Sequence, residues 1–248
     1  MSSRQNTSGG VWVAGADGTA DGWVLVLYNY DRAAVRVRAV DRFVELLSLP
    51  EAPAVLGVDM IIGCPDAAVP GGRRCDRQAR ALLGHPRSAS VFSPPAYTAL
   101  EAGTYAEAVR RNRQSGSDAP GLSKQTFHLF PKLRAVAGEL TPDRQEWVRE
   151  VHPELAFYAM NGDAPVEESK HDPAGRHVRR RLLTANGFDG VFDDGSVSNL
   201  PGTPDDVIDA CAACWTARRI YEGTAERCPP VGEPVPRNGR GLRMEIWR

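Results

Sequence analysis

The chain has 248 residues, with 30 Lys and Arg against 31 Asp and Glu and a hydrophobic fraction of 42%. That length suits one α/β domain carrying an insertion. The balanced charge and ordinary apolar content exclude a disordered chain or a strongly nucleic-acid-coating one. No run approaches the ~20 apolar residues that cross a bilayer, and the five scattered cysteines read as free thiols, so a cytoplasmic location without membrane contact is expected.

Residues 1–10 are polar and expected to be disordered. Val11–Gly18 reads as a buried first strand with Asp17 at its end. Asp21-Gly22 then turns the chain into a second strand, Trp23–Tyr28, because glycine supplies the positive φ of a tight turn. Asp17 is either a turn former or a functional acid at this point. Ala33–Ala39 alternates apolar and basic residues, the period of a half-exposed third strand, and Arg42–Leu49 reads as a short amphipathic helix. Ala54–Pro65 is a near-continuous apolar run that suits a central parallel strand, and Asp59 inside it needs a partner, a proton or a cation.

From Gly71 to Arg134 the pattern turns helical and broken, with helices expected over Arg74–Leu83, Tyr105–Arg113 and Ser123–Ala137. Eleven Lys and Arg face four acids there, a segregation that suits either a polyanionic partner or a solvated helical face. Glu146–Val151 reads as a further strand carrying Glu150 at its end, followed by a helix over Glu154–Met160, with Glu154 placed to complement its N-terminus. Lys170–Asn186 is a second basic cluster on a helix, and Phe188–Gly202 an acidic, Gly-rich loop. Thr203-Pro-Asp-Asp206 opens the last long helix with an N-cap, a proline at the first helical position and acids in the first turn. Asp205 and Asp206 are accounted for by the helix dipole. Asp209 lies beyond that turn and repels both of them unless a cation intervenes. Cys211 and Cys214 lie inside this helix without further ligands and read as core. The tail from Cys228 is Pro-rich, and Leu242–Trp247 alternates like a terminal strand.

Three strands, a helix, a strand, a helical insertion, a strand and helices, with acids at the strand ends and on the last helix, resemble the ribonuclease H-like fold. The stretches Gly15-Ala-Asp-Gly18, Val58-Asp-Met-Ile-Ile-Gly-Cys-Pro65, Arg73-Arg-Cys-Asp76, Ser90-Val-Phe-Ser-Pro-Pro95, Gly121-Leu-Ser-Lys-Gln125, Glu150-Val-His-Pro-Glu154 and Asp205-Asp-Val-Ile-Asp-Ala210 are similar to the domain-of-unknown-function 429 family, regarded as predicted RNase H-like nucleases. The resemblance implies an α/β fold with three antiparallel strands followed by parallel ones, flanked by helices. It implies one domain over residues 11–225 with a helical insertion at about 68–140, and a tail, 226–248, whose terminal strand docks on it.

The resemblance further implies a divalent-metal-dependent phosphodiesterase or nuclease in which Asp17, Asp59, Glu150 and Asp209, with Asp206 as an alternate, bind one or two Mg²⁺ or Mn²⁺ ions. Weak, non-specific nucleic-acid binding is expected through Arg73, Arg74, Arg77, Lys124, Lys132, Arg176 and Arg180. Tyr97 departs from the family pattern, standing where a basic residue follows the proline pair. Two alternatives stay open. One is an inert nucleic-acid or protein binding module on the same fold. The other is a sugar-kinase or actin-like ATPase relative, for which no second phosphate loop is visible.

Overall fold

The computed structural model describes residues 10–192 and 202–248. The expectations for residues 1–9, and for 193–201 of the acidic loop, lie outside the described residues. In chain order the elements are β1 (Trp12–Gly18), β2 (Trp23–Asn29), β3 (Ala34–Val40), α1 (Phe43–Leu46), β4 (Val55–Asp59), α2 (Arg74–Leu83), α3 (Tyr105–Gln114), α4 (Lys124–His128), α5 (Phe130–Glu139), β5 (Val148–Glu150), α6 (Pro153–Met160), α7 (Pro173–Leu183), α8 (Pro204–Glu222), β6 (Arg227–Cys228) and β7 (Ile246–Trp247), with short 3₁₀ turns between some of them and one π turn at Thr184–Phe188.

Contacts divide the chain into two compact units: residues up to Asp59 with Trp147–Glu226 and Trp247–Arg248, and Met60–Glu146 with Arg227–Ile246. The first holds a five-stranded sheet in the order β3-β2-β1-β4-β5. Its first three strands are antiparallel, and β4 and β5 add in parallel. This is the mixed α/β layout that the order of elements implies. The turn into β2 closes as Thr19 N donates to Gly22 O at 2.9 Å and Gly22 N to Thr19 Oγ1 at 3.0 Å.

Strand alternation sorts the sheet into two faces. Val13, Val24, Val26 and Val55 pack on one of them against Ile208, Cys211, Ala212 and Trp215 of α8, in one hydrophobic core of this unit. On that face Gly15 and Gly57 are register partners in adjacent parallel strands. A Cβ at Gly15 would lie 2.0 Å from Cys214 N, and one at Gly57 would lie 2.6 Å from Ala213 O. The two glycines therefore let α8 rest directly on the sheet backbone.

The other unit is helical. The helix expected over Ser123–Ala137 is two helices, α4 and α5, because Pro131 has no N–H to continue the first. The long strand expected over Ala54–Pro65 is regular only to Asp59. β6 and β7 form a two-stranded sheet, so the strand expected over Leu242–Trp247 is confined to its last two residues.

Candidate metal centre

The site follows from that close helix–sheet contact. Asp17 and Asp59 stand two residues beyond Gly15 and Gly57 and are themselves register partners. Their carboxylates thus emerge side by side on the α8 face, at the C-terminal ends of β1 and β4, where parallel sheets place their chemistry. α8 runs against the strands, so Asp209, one turn before Ala213, reaches over the same ends. Ligand oxygens of Asp17, Asp59 and Asp209 all lie within 4.8 Å of one another. The helix start that sets this register was legible: Thr203 caps Asp206 N, the Asp206 carboxylate accepts from Thr203 N at 2.6 Å, and Pro204 opens the first turn.

Asp17 and Asp209 are buried and Asp59 keeps a partly exposed edge. Burial is the first cause that pushes all three above the ordinary carboxylate range, because charge is costly away from water. For Asp17 the carboxylates of Asp59, Asp209 and Asp206 push further in the same direction. For Asp59, burial together with Asp209 and, more weakly, Glu150 outweighs the lowering by Lys170 and carries it up to about 8.

A lysine opposes this rise. Lys170 Nζ lies 2.8 Å from Asp209 Oδ2. Burial, the largest single cause, lowers the ammonium, but the charge and hydrogen bond of Asp209 together with the carboxylates of Asp59 and Asp17 outweigh it and hold Lys170 above its ordinary value. The sequence pattern places Lys170 on a helix, whereas α7 begins only at Pro173. Asp172 before that proline is extended, as a residue preceding proline tends to be, which leaves Lys170 in a turn. Behind it is a second buried pair that sequence reading also missed. Arg179 Nη2 grips both Glu154 oxygens at 2.8 Å, and Nε adds a bond at 3.0 Å. Glu154 is therefore an ion-pair partner rather than only a complement to the α6 terminus. The sole sequence signal for the pair is a glutamate and an arginine on two helices that also carry apolar residues.

Three hard oxygen donors at this spacing are a group that could hold a metal ion. The model of the family described as "Protein of unknown function (DUF429)" matches residues 15–233. The chain belongs to the DUF429 family. No curated protein and no solved structure matches it.

The structure does not bring the other expected acids of this DUF429 chain into the group. Glu150 is buried but register-paired with Val58, so it faces the opposite side of the sheet from Asp59, although its charge still raises Asp59. The close group is thus the three aspartates without Glu150. Asp206 is engaged as the α8 cap.

Several basic residues also have internal work. Arg73, expected at a nucleic-acid surface, is 3% exposed. It binds Asp76 Oδ1 at 2.7 Å and Ile62 O at 2.6 Å, which removes it from any such surface. Arg80 donates to Val91 O, Gly71 O and Ser93 Oγ, and Arg134 to Leu100 O and Ala102 O. The helical unit has few strands to satisfy its loop carbonyls, and guanidinium groups do so instead. That accounts for much of its basic excess.

Of the remaining expected residues, Arg74 pairs with Glu233, and Arg77 donates to Gly72 O. Lys124 is exposed, and Lys132 is half-buried with a partner. In the other unit Arg176 lies 3.8 Å from Asp205, and Arg180 is exposed over the Phe192 ring. Tyr97 stacks under Arg240, with the guanidinium 5.0 Å from the ring centroid. Cys211 and Cys214 are free and buried in the core. Among the described residues no helix is long and apolar enough to cross a membrane.

Proposed function

We propose that this chain is a divalent-metal-dependent phosphodiesterase of RNase H-like type, with Asp17, Asp59 and Asp209 as the metal ligands and nucleic acid as the substrate class. The observation that carries the reading is the convergence of these three carboxylates, with oxygens within 4.8 Å, at the C-terminal ends of two parallel strands. Such crowding is unfavourable for an enzyme-free purpose: it holds protons on acids at neutral pH and repels charge. A divalent cation reverses that penalty, and Mg²⁺ or Mn²⁺ matches the all-oxygen donor set. When bound, the ion would supply Lewis acidity toward a phosphoryl oxygen and an activated water.

The chain's own residues do the rest. The Gly15–Gly57 saddle fixes Asp209 against Asp17 and Asp59, so the ligands are arranged before the ion arrives. Gly18 N donates to Asp17 Oδ1 at 2.7 Å and orients that carboxylate. Weak, salt-sensitive phosphate contacts are expected of exposed basic residues in each unit by itself, Arg180 in the one that carries the acids and Arg77 and Lys124 in the helical one.

The test is cleavage of single- and double-stranded DNA and RNA with Mg²⁺ or Mn²⁺, against Asp59→Asn. Metal-dependent cleavage lost in the variant supports the reading. Cleavage that persists in chelator, or equally in Asp59→Asn, refutes it.

A further inference from the structure

The geometry points to Lys170 as the resident second cation of this centre, a positioning residue that holds one side of Asp209 so that the protein takes one divalent ion rather than two. The inference rests on the metal reading above. Lys170 is not a loose surface lysine that happens to meet an acid, because the turn carrying it is fixed on both sides. Arg179, buried and locked on Glu154, donates to Glu168 O at 2.9 Å and to Gly175 O at 3.0 Å. Gly175 abuts the backbone of the same turn: a Cβ there would meet Ser169 O at 1.9 Å. Asp172 N closes the turn on Ser169 O at 3.0 Å. The result delivers the ammonium 2.8 Å from Asp209 Oδ2.

Charge sets the consequence. The three ligating carboxylates carry three negative charges when ionised, and Lys170 returns one positive charge. One divalent ion then neutralises the centre, whereas two would leave it positive in a poorly solvated place. Of the other acids, Glu154 is already neutralised by Arg179, Glu150 faces the other side of the sheet, and Asp206 is held on Thr203 N as the α8 cap, outside the ligand group. A carboxylate already hydrogen-bonded to an ammonium is also a poorer bridge between two metal ions. Lys170 therefore replaces the ion that a bare acidic cluster would recruit.

Calorimetric titration of the full chain with Mn²⁺, checked by electron paramagnetic resonance counting of bound ions, tests this. Wild type is expected to bind one ion. Lys170→Met, similar in length but uncharged, is expected to bind two, or to bind the first about tenfold tighter. Lys170→Arg, which restores the cation, should return to one. Equal stoichiometry and affinity in wild type and Lys170→Met would overturn the role of Lys170 and leave the metal site standing. No binding in either protein would overturn both. Should Lys170→Met fail to fold by circular dichroism, two ions in wild type would still refute the proposal and one, with one in Lys170→Arg, would support it.

Discussion

The backbone nitrogen of Cys214 sits 2.0 Å from where a Cβ on Gly15 would lie. Any other residue at position 15 must push α8 off the sheet, and Asp209 rides on α8. Gly15→Ala is therefore expected to destabilise the protein by about 1–3 kcal/mol through overpacking against backbone, and to weaken divalent-ion binding with it. Gly138→Ala is the control. No atom lies within 4 Å of a Cβ there, and the position is inside α5, so stability should hold or rise by up to about 1 kcal/mol. Denaturant melts of both variants, with Mn²⁺ titrations, separate these outcomes.

The acids should make the metal-free protein lose stability as pH rises. Asp59 is raised from its ordinary 3.8 to about 8. Between those values the folded state binds the proton more often than the unfolded chain, so unfolding free energy falls with pH until the folded group is ionised. The Lys170 shift lies above its ordinary 10.5 and does not enter this window. In chelator, the difference in melting temperature between wild type and Asp59→Asn should shift against wild type by about 4 °C or more from pH 4 to pH 8. Saturating Mg²⁺ should flatten that trend, because the ion takes the place of protons. A difference that is independent of pH would contradict the electrostatic account.

Metal binding at pH 7 should release protons, since ligating carboxylates must be ionised and burial with mutual repulsion holds Asp17, Asp59 and Asp209 above the ordinary carboxylate range without metal. Titrations in buffers of different ionisation enthalpy measure this. Proton release that is absent at pH 7, while binding persists, would mean that the ion is not held by these three carboxylates.

Arg179 and Arg73 should behave as structural cations. Arg179→Met leaves Glu154 buried without its partner and should cost about 3–5 kcal/mol, recovered in part by adding Glu154→Gln. Arg73→Met should cost a similar amount through Asp76. Lys124→Ala, on an exposed side chain, should leave stability within about 0.5 kcal/mol. Fluorescence anisotropy with labelled oligonucleotides should show Lys124→Ala weakening binding and lowering the salt slope. Thermal melts that rank Lys124 with the two arginines would contradict this division.

The strand pattern and the α8 cap were legible, because apolar periodicity and capping chemistry act locally. So was the reason to single out Asp209, an acid outside the first turn of its helix. Strand ends were less legible: the apolar run after Asp59 looks like strand, yet hydrogen-bonded pairing stops there. Which face Glu150 shows is a one-residue question that composition leaves open, and only the β4–β5 register decides it. Lys170 was hidden because its partner lies 39 positions away, and a lysine in a basic cluster carries no mark of the acid it will meet. Net charge misled for a related reason: it does not reveal that Arg73, Arg80 and Arg134 bind acids and carbonyls of their own unit.

The most direct test of the centre is a crystal soaked in Mn²⁺ and read by anomalous difference density. The account predicts a peak bounded by Asp17, Asp59 and Asp209, with ligand oxygens about 2.0–2.3 Å away, lost in Asp59→Asn. Saturating Mn²⁺ with no density among these three carboxylates, or a peak unchanged in the variant, would contradict it.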